Sequence, residues 1–191
     1  MKHTARRLVR AFYEGDGSLD KVRLVEEHMR RMLAVLRAQY WVHQTAHWQV
    51  AGTGFYADHQ LFQRLYETTQ GEIDAIAEKI VGYVGRDGVD AVQSLAMTAH
   101  FIAYWSQEHD LYRRALQAED MLQSVFRSSY DVLKEAGALT LGLDDWIMAT
   151  ANTHETHTYL LQQRVADELR GVTAAVESGA AAPSAEHHFF D

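Results

Sequence analysis

Residues 47–78 read HWQVAGTGFYADHQLFQRLYETTQGEIDAIAE, and the fold turns on how the second half of that stretch repeats. From Phe55 to Val84 there is no proline, and Phe62, Leu65, Ile73, Ile76, Ile80 and Tyr83 recur at three- and four-residue steps. That spacing predicts one long helix with an apolar stripe. A second stripe runs beside it. His59, Gln63, Tyr66 or Glu67, Gln70, Asp74 and Glu78 keep the same step, so imidazole, amide and carboxylate groups share a face adjoining the core.

Outward from this stretch, Val22, Val25, Met29, Met32, Leu36 and Tyr40 lead in helical register to His43 and His47, which predicts a preceding helix that carries both histidines inward. Gly52, Thr53 and Gly54 break the pattern and fold the two helices into a hairpin, placing His47 beside His59. Asp74 and Glu78 are out of reach within one chain. Fifteen helical residues separate His59 from Asp74, roughly 22 Å at the usual rise. Two hairpins packed antiparallel about a twofold axis would instead set the histidine end of each against the carboxylate end of the other. The spacing therefore predicts two equivalent His/carboxylate sites shared across a dimer interface.

At this spacing, HWQVAGTGFYADH followed by DAIAE resembles the Dps (DNA-protection-during-starvation) miniferritins of the ferritin-like superfamily. The resemblance covers about residues 18–170 and is strongest over 47–78. It implies an all-α fold, a ferritin-like four-helix bundle with a short extra helix in the connection between helices two and three. It also implies a ferroxidase centre in which His47 and His59 of one subunit and Asp74 and Glu78 of its twofold mate hold iron, with Trp48 beside the metal as a candidate electron relay. Fe²⁺ would be oxidised there by hydrogen peroxide, dioxygen or both. The ferric mineral would be stored in a hollow dodecamer of tetrahedral symmetry. The same ligands also suit zinc or manganese. Gln63 departs from the pattern, because many members carry an aspartate one turn after the second histidine and a neutral amide is the weaker ligand.

Composition fits this frame. With 191 residues, 47% of them apolar, the chain can bury a full core, and its single proline favours helices. A formal net charge of −8 suits cation uptake better than a generally nucleic-acid-binding surface. There is no cysteine, which excludes disulfides and thiolate metal sites. No stretch reads as a membrane span, and the basic N-terminus lacks the apolar run of a secretory signal, so the expected location is the cytoplasm.

Three segments are expected: a basic arm over 1–17, the bundle over 18–170, and a linker and tail over 171–191 ending in His187, His188, Phe189 and Phe190. Lys2, Arg6, Arg7 and Arg10 make the arm either a DNA contact acting through phosphates, as basic tails do in Dps proteins, or a self-docking amphipathic segment. Ser18 is the expected cap of the first helix, which runs to about Val50. A short apolar helix follows near 90–103 and a third long helix over 108–136, stopped by Gly137. The fourth begins after Gly142, capped by Asp144 or Asp145, and ends near Arg170. Those two aspartates are also pore candidates on the resemblance.

His28, His100 and His109 read as hydrogen-bonded core histidines, and so does His43, with an accessory-ligand role as its second reading. His154 and Glu155 invite a di-iron reading, but no Glu-x-x-His occurs in the chain, which argues against a metal centre inside one bundle. Two rival functions stand beside the ferroxidase: a nucleoid-binding structural protein with a vestigial metal site, and a plain helical scaffold.

Overall fold

The computed structural model describes residues 19–177, and the basic arm, Ser18 and the HHFFD tail lie outside them. Five α-helices and one short 3₁₀ turn (Arg86–Val89) make up the described chain: α1 (Leu19–Gln49), α2 (Phe55–Val84), α3 (Ala91–Trp105), α4 (Leu111–Glu135) and α5 (Leu141–Glu177). The long helices α1, α2, α4 and α5 form the four-helix bundle, and α3 is the extra helix in the long connection, packed on α1. This is the architecture expected from the sequence.

Helix ends follow local chemistry. Asp90 and Asp110 cap α3 and α4 by accepting from the backbone N–H groups of Gln93 (2.9 Å) and Arg113 (2.7 Å). Gly137, at φ 69°, closes α4 as its place in the sequence predicts. Its N–H donates to Lys134 and that of Ala138 to Leu133, which satisfies carbonyls the helix leaves open. The start of α5 differs from expectation. Thr140 Oγ1 accepts from Leu143 N–H at 3.2 Å, so the helix begins at Leu141 and neither Asp144 nor Asp145 is its cap. At the other end α5 continues through Gly171 to Glu177, past the expected boundary at Arg170.

The apolar stripes predicted for α1 and α2 are buried: Met29, Met32, Leu36, Phe62, Leu65, Ile76 and Ile80 have no exposed surface. Burying each such side chain contributes roughly 1.5–3 kcal/mol. The core falls into two clusters. One gathers Met29, Leu36, Ile76, Trp105, Leu122 and Ile147, and the other gathers Ala46, Phe62, Leu65, Ala115 and Leu161. In sequence, His43, Glu72, Glu119 and His154 each fall between members of the two, so a polar layer interrupts the bundle at one level.

The connection into α3 is held by Arg30, whose guanidinium donates to the carbonyls of Gly88 (3.0 Å) and Asp87 (2.6 Å). Gly88 is buried, and a Cβ there would lie 2.5 Å from Val84 Cγ2 and 2.6 Å from Ile80 Cγ2. Gly88→Ala is therefore expected to lower stability by about 1–3 kcal/mol, read by urea unfolding at fixed protein concentration.

Candidate metal centres

The hairpin between α1 and α2 turns at Gly52, whose φ of 86° lies in the left-handed region that favours glycine. The turn brings His47 and His59 face to face, with ring centroids 3.6 Å apart and planes inclined by 23°. Their hydrogen bonds are reciprocal. His47 Nδ1 donates to the His59 carbonyl at 2.8 Å, and His59 Nδ1 donates to the His47 carbonyl at 2.9 Å. A carbonyl only accepts, so each Nδ1 must carry the proton, which leaves each neutral ring with an Nε2 lone pair. Locking a histidine tautomer through its other nitrogen is how metal-binding imidazoles are usually oriented. Tyr66 packs edge-on against His47 at 5.3 Å, and Phe55 stacks on His59 at 5.0 Å.

The neighbouring Asp58 is buried and anchors the start of α2. It accepts from Arg164 Nε at 2.7 Å and from the Tyr112 hydroxyl at 2.5 Å, so α4 and α5 both hold the segment that carries His59. Burial and the Asp58 carboxylate push the Tyr112 phenol well above its ordinary range, so it stays a donor. Tyr112→Phe removes one buried bond to a charged group, and the expected loss is about 1.5–3 kcal/mol in urea unfolding.

Asp74 and Glu78 lie further along α2, both exposed, and the continuous helix keeps them from the histidines of the same chain. Trp48 is 67% exposed. Gln63 donates to Glu67 Oε1 at 2.7 Å, so a carboxylate stands one turn beyond the position where many Dps proteins carry aspartate.

A second cluster lies inside the bundle. Glu119 of α4 is fully buried; its Oε1 accepts from His43 Nε2 at 3.1 Å and its Oε2 from His154 Nδ1 at 2.7 Å. His154 Nε2 reaches Glu72 Oε2 at 2.9 Å, and His157 Nδ1 stands 3.5 Å from Glu119 Oε1. Burial pushes the Glu119 carboxyl up, but His154, with His157 and His43, outweighs it and holds the group well below the usual carboxylate range. Burial likewise pushes His154 down, and the Glu119 and Glu72 carboxylates reverse this and raise it to about 9. His43 stays below its ordinary value because burial dominates.

His43 is the hydrogen-bonded core histidine expected from the sequence, with Glu119 as its partner. The cluster departs from the sequence reading in that the absence of Glu-x-x-His did not keep ligand-type residues out of the bundle. His43, His154 and His157 lie at buried helical positions and Glu72 at a half-buried one, each in step with apolar neighbours: Leu36 and His43, Leu65 and Glu72, Ile147 and His154, His157 and Leu161. Polar residues in phase with apolar stripes on four helices were the signal available. Glu155 is exposed and does not line the bundle, and His100 and His109 are exposed rather than core. His28 is buried against Ser129 Oγ at 3.1 Å, as expected.

No model of a known protein family matches the chain. In sequence it is 27% identical over 126 residues to general stress protein 20U of Bacillus subtilis (strain 168), a match that covers 61% of this chain and 79% of that protein. In structure it superposes on DpsC from Streptomyces coelicolor with a TM-score of 0.63 at 18% identity, over 78% of this chain and 88% of that one. The Dps protein of Vibrio cholerae O1, described as a member of a broad superfamily of ferritin-like diiron-carboxylate proteins, gives 0.64 at 17% identity over 76% and 91%. The chain has the ferritin-like bundle of the Dps proteins, and the fold that the resemblance implies is borne out.

Proposed function

We propose that this protein is a Dps-type ferroxidase and iron store, in which Fe²⁺ is the substrate and is oxidised between His47 and His59 of one subunit and Asp74 and Glu78 of its twofold mate. The observation that carries the reading is the reciprocal pinning of the two imidazoles, which presents two Nε2 lone pairs at the end of a hairpin. Imidazole with carboxylate suits ferrous iron, and added carboxylate oxygen favours the ferric product. With peroxide as oxidant, two Fe²⁺ give up one electron each, and H₂O₂ with two protons becomes two waters. Trp48, next in sequence to a ligand, is placed to pass an electron, and Glu67 supplies the carboxylate that Gln63 lacks.

Assembly is part of the proposal. Trp48, Tyr56, Val92 and Leu95 are large apolar side chains more than half exposed on the single chain, which supports a subunit contact along the hairpin and α3. The dodecameric shell, the acidic pores and a cytoplasmic location follow from the family reading; among the described residues no helix is long and apolar enough to cross a membrane. Stopped-flow oxidation of Fe²⁺ by peroxide tests the site. The Asp74→Ala, Glu78→Ala protein should lose at least about a hundredfold in rate, since it removes ligands rather than the outer partners whose loss costs 10–100-fold. Unchanged oxidation by a protein that still assembles would end the reading. DNA binding belongs to the basic arm, and retardation of DNA at low salt that vanishes on deleting residues 1–17 is its test.

A further inference from the structure

We infer that the bundle interior holds a second metal site, made by Glu119, His154 and His157, which binds one divalent first-row transition-metal cation as a resident ion. This inference stands apart from the intersubunit site, because none of its residues belongs to that ligand set.

The donor atoms of these three buried residues lie within 4.8 Å of one another. Around a cation with bonds near 2.1 Å, tetrahedral neighbours stand about 3.4 Å apart. The 3.5 Å between His157 Nδ1 and Glu119 Oε1 fits that edge. It is also too long for a useful hydrogen bond, and His157 Nδ1 is a buried polar atom with no hydrogen-bond partner. Satisfying that nitrogen is what a cation at this point would do.

The surroundings are arranged as outer partners of such a site. With His154 Nδ1 turned to the cation side, its Nε2–H donates to Glu72, giving the carboxylate–histidine–metal order common at protein metal sites. His43 Nε2–H does the same for the Glu119 carboxylate. Two imidazoles and one carboxylate suit Zn²⁺, Fe²⁺ or Co²⁺ and leave a fourth position open. Glu119 and His154 have no exposed surface, which fits an ion that stays and ties α4 to α5 better than one that passes through.

The test uses the full chain with His47→Ala and His59→Ala, which removes the hairpin imidazoles. Co²⁺ is added, excess is removed by gel filtration, and the retained ion is counted and its visible spectrum recorded. We expect about one Co²⁺ per chain with the intense d–d absorption of four-coordinate cobalt, and at least about tenfold weaker retention when His157→Ala or Glu119→Gln is added. Far-ultraviolet circular dichroism establishes that each variant is folded. Absence of retained Co²⁺ in the folded His47→Ala, His59→Ala protein overturns the inference without reference to any bundle variant. Retention unmoved by His157→Ala overturns it equally. Failure here leaves iron oxidation by the unsubstituted protein untouched, so the two proposals fall separately.

Discussion

Mixing a His47→Ala, His59→Ala chain with an Asp74→Ala, Glu78→Ala chain should restore iron oxidation that neither parent supports. In a homodimer of either variant both sites lack ligands. In a mixed dimer one site combines the two damaged halves, while the other takes its histidines from the acid variant and its acids from the histidine variant and is whole. Random pairing of equal amounts makes half the dimers mixed, so about a quarter of the wild-type sites return. Recovery to about a quarter of the wild-type peroxide-dependent rate, after dissociation and reassembly together, is the expected result. Each parent alone should lie at least about a hundredfold below wild type. A mixture no faster than its parents, with mixed dimers demonstrated by differently tagged chains, would rule out the shared site. Within one chain these residues cannot meet, because α2 runs unbroken from Phe55 to Val84 and holds Asp74 roughly 22 Å along the helix from His59.

The hairpin was legible because its signals are local. A helix-breaking turn at Gly52–Gly54, histidines at the two mouths of that turn and apolar stripes of unambiguous period all lie within one stretch, and the structure puts His47 against His59 accordingly. What the sequence did not give away is long-range or competitive. Glu119 and His154 meet from different helices, thirty-five residues apart, and no motif has that spacing. The N-terminus of α5 differs from the pattern its aspartates suggest because Thr140 stands before them and reaches Leu143 N–H first. His100 reads as core only by the default for a lone histidine, and its place on an exposed position of α3 is set by how that helix packs, which no local pattern reports.

Replacing Glu119 by glutamine should cost the metal-free protein about 3–5 kcal/mol, the penalty for removing one member of a fully buried ion pair. The amide oxygen can accept from one of the facing nitrogens, but the amide nitrogen then meets another donor, and His154 keeps only Glu72 as counter-charge. The pH profile separates this loss from a simple packing defect. In the wild type, Glu119 is held below its unfolded value, so its contribution is present above about pH 4.5 and is lost as the pH falls. His154 is raised to about 9, so its contribution is full below its unfolded value near 6.5 and disappears as the pH rises through about 9. That alkaline loss is on the order of 3 kcal/mol. His43, kept neutral by burial, subtracts stability below about pH 6.5, where the unfolded chain takes up its proton. The groups facing His154 are His43 from α1, Glu72 from α2, Glu119 from α4 and His157 from its own helix. The chelator-treated wild type should therefore be most stable near pH 6–7 and weaken toward pH 9. Glu119→Gln should be less stable throughout and lose less over that alkaline range, because the stronger of the two carboxylates that raise His154 is gone and only Glu72 remains. Urea unfolding of both proteins between pH 5 and 9, at one protein concentration, checks the slope. A variant that lost stability by the same amount at every pH would mean that the His154–Glu119 pair is not charged in the folded protein.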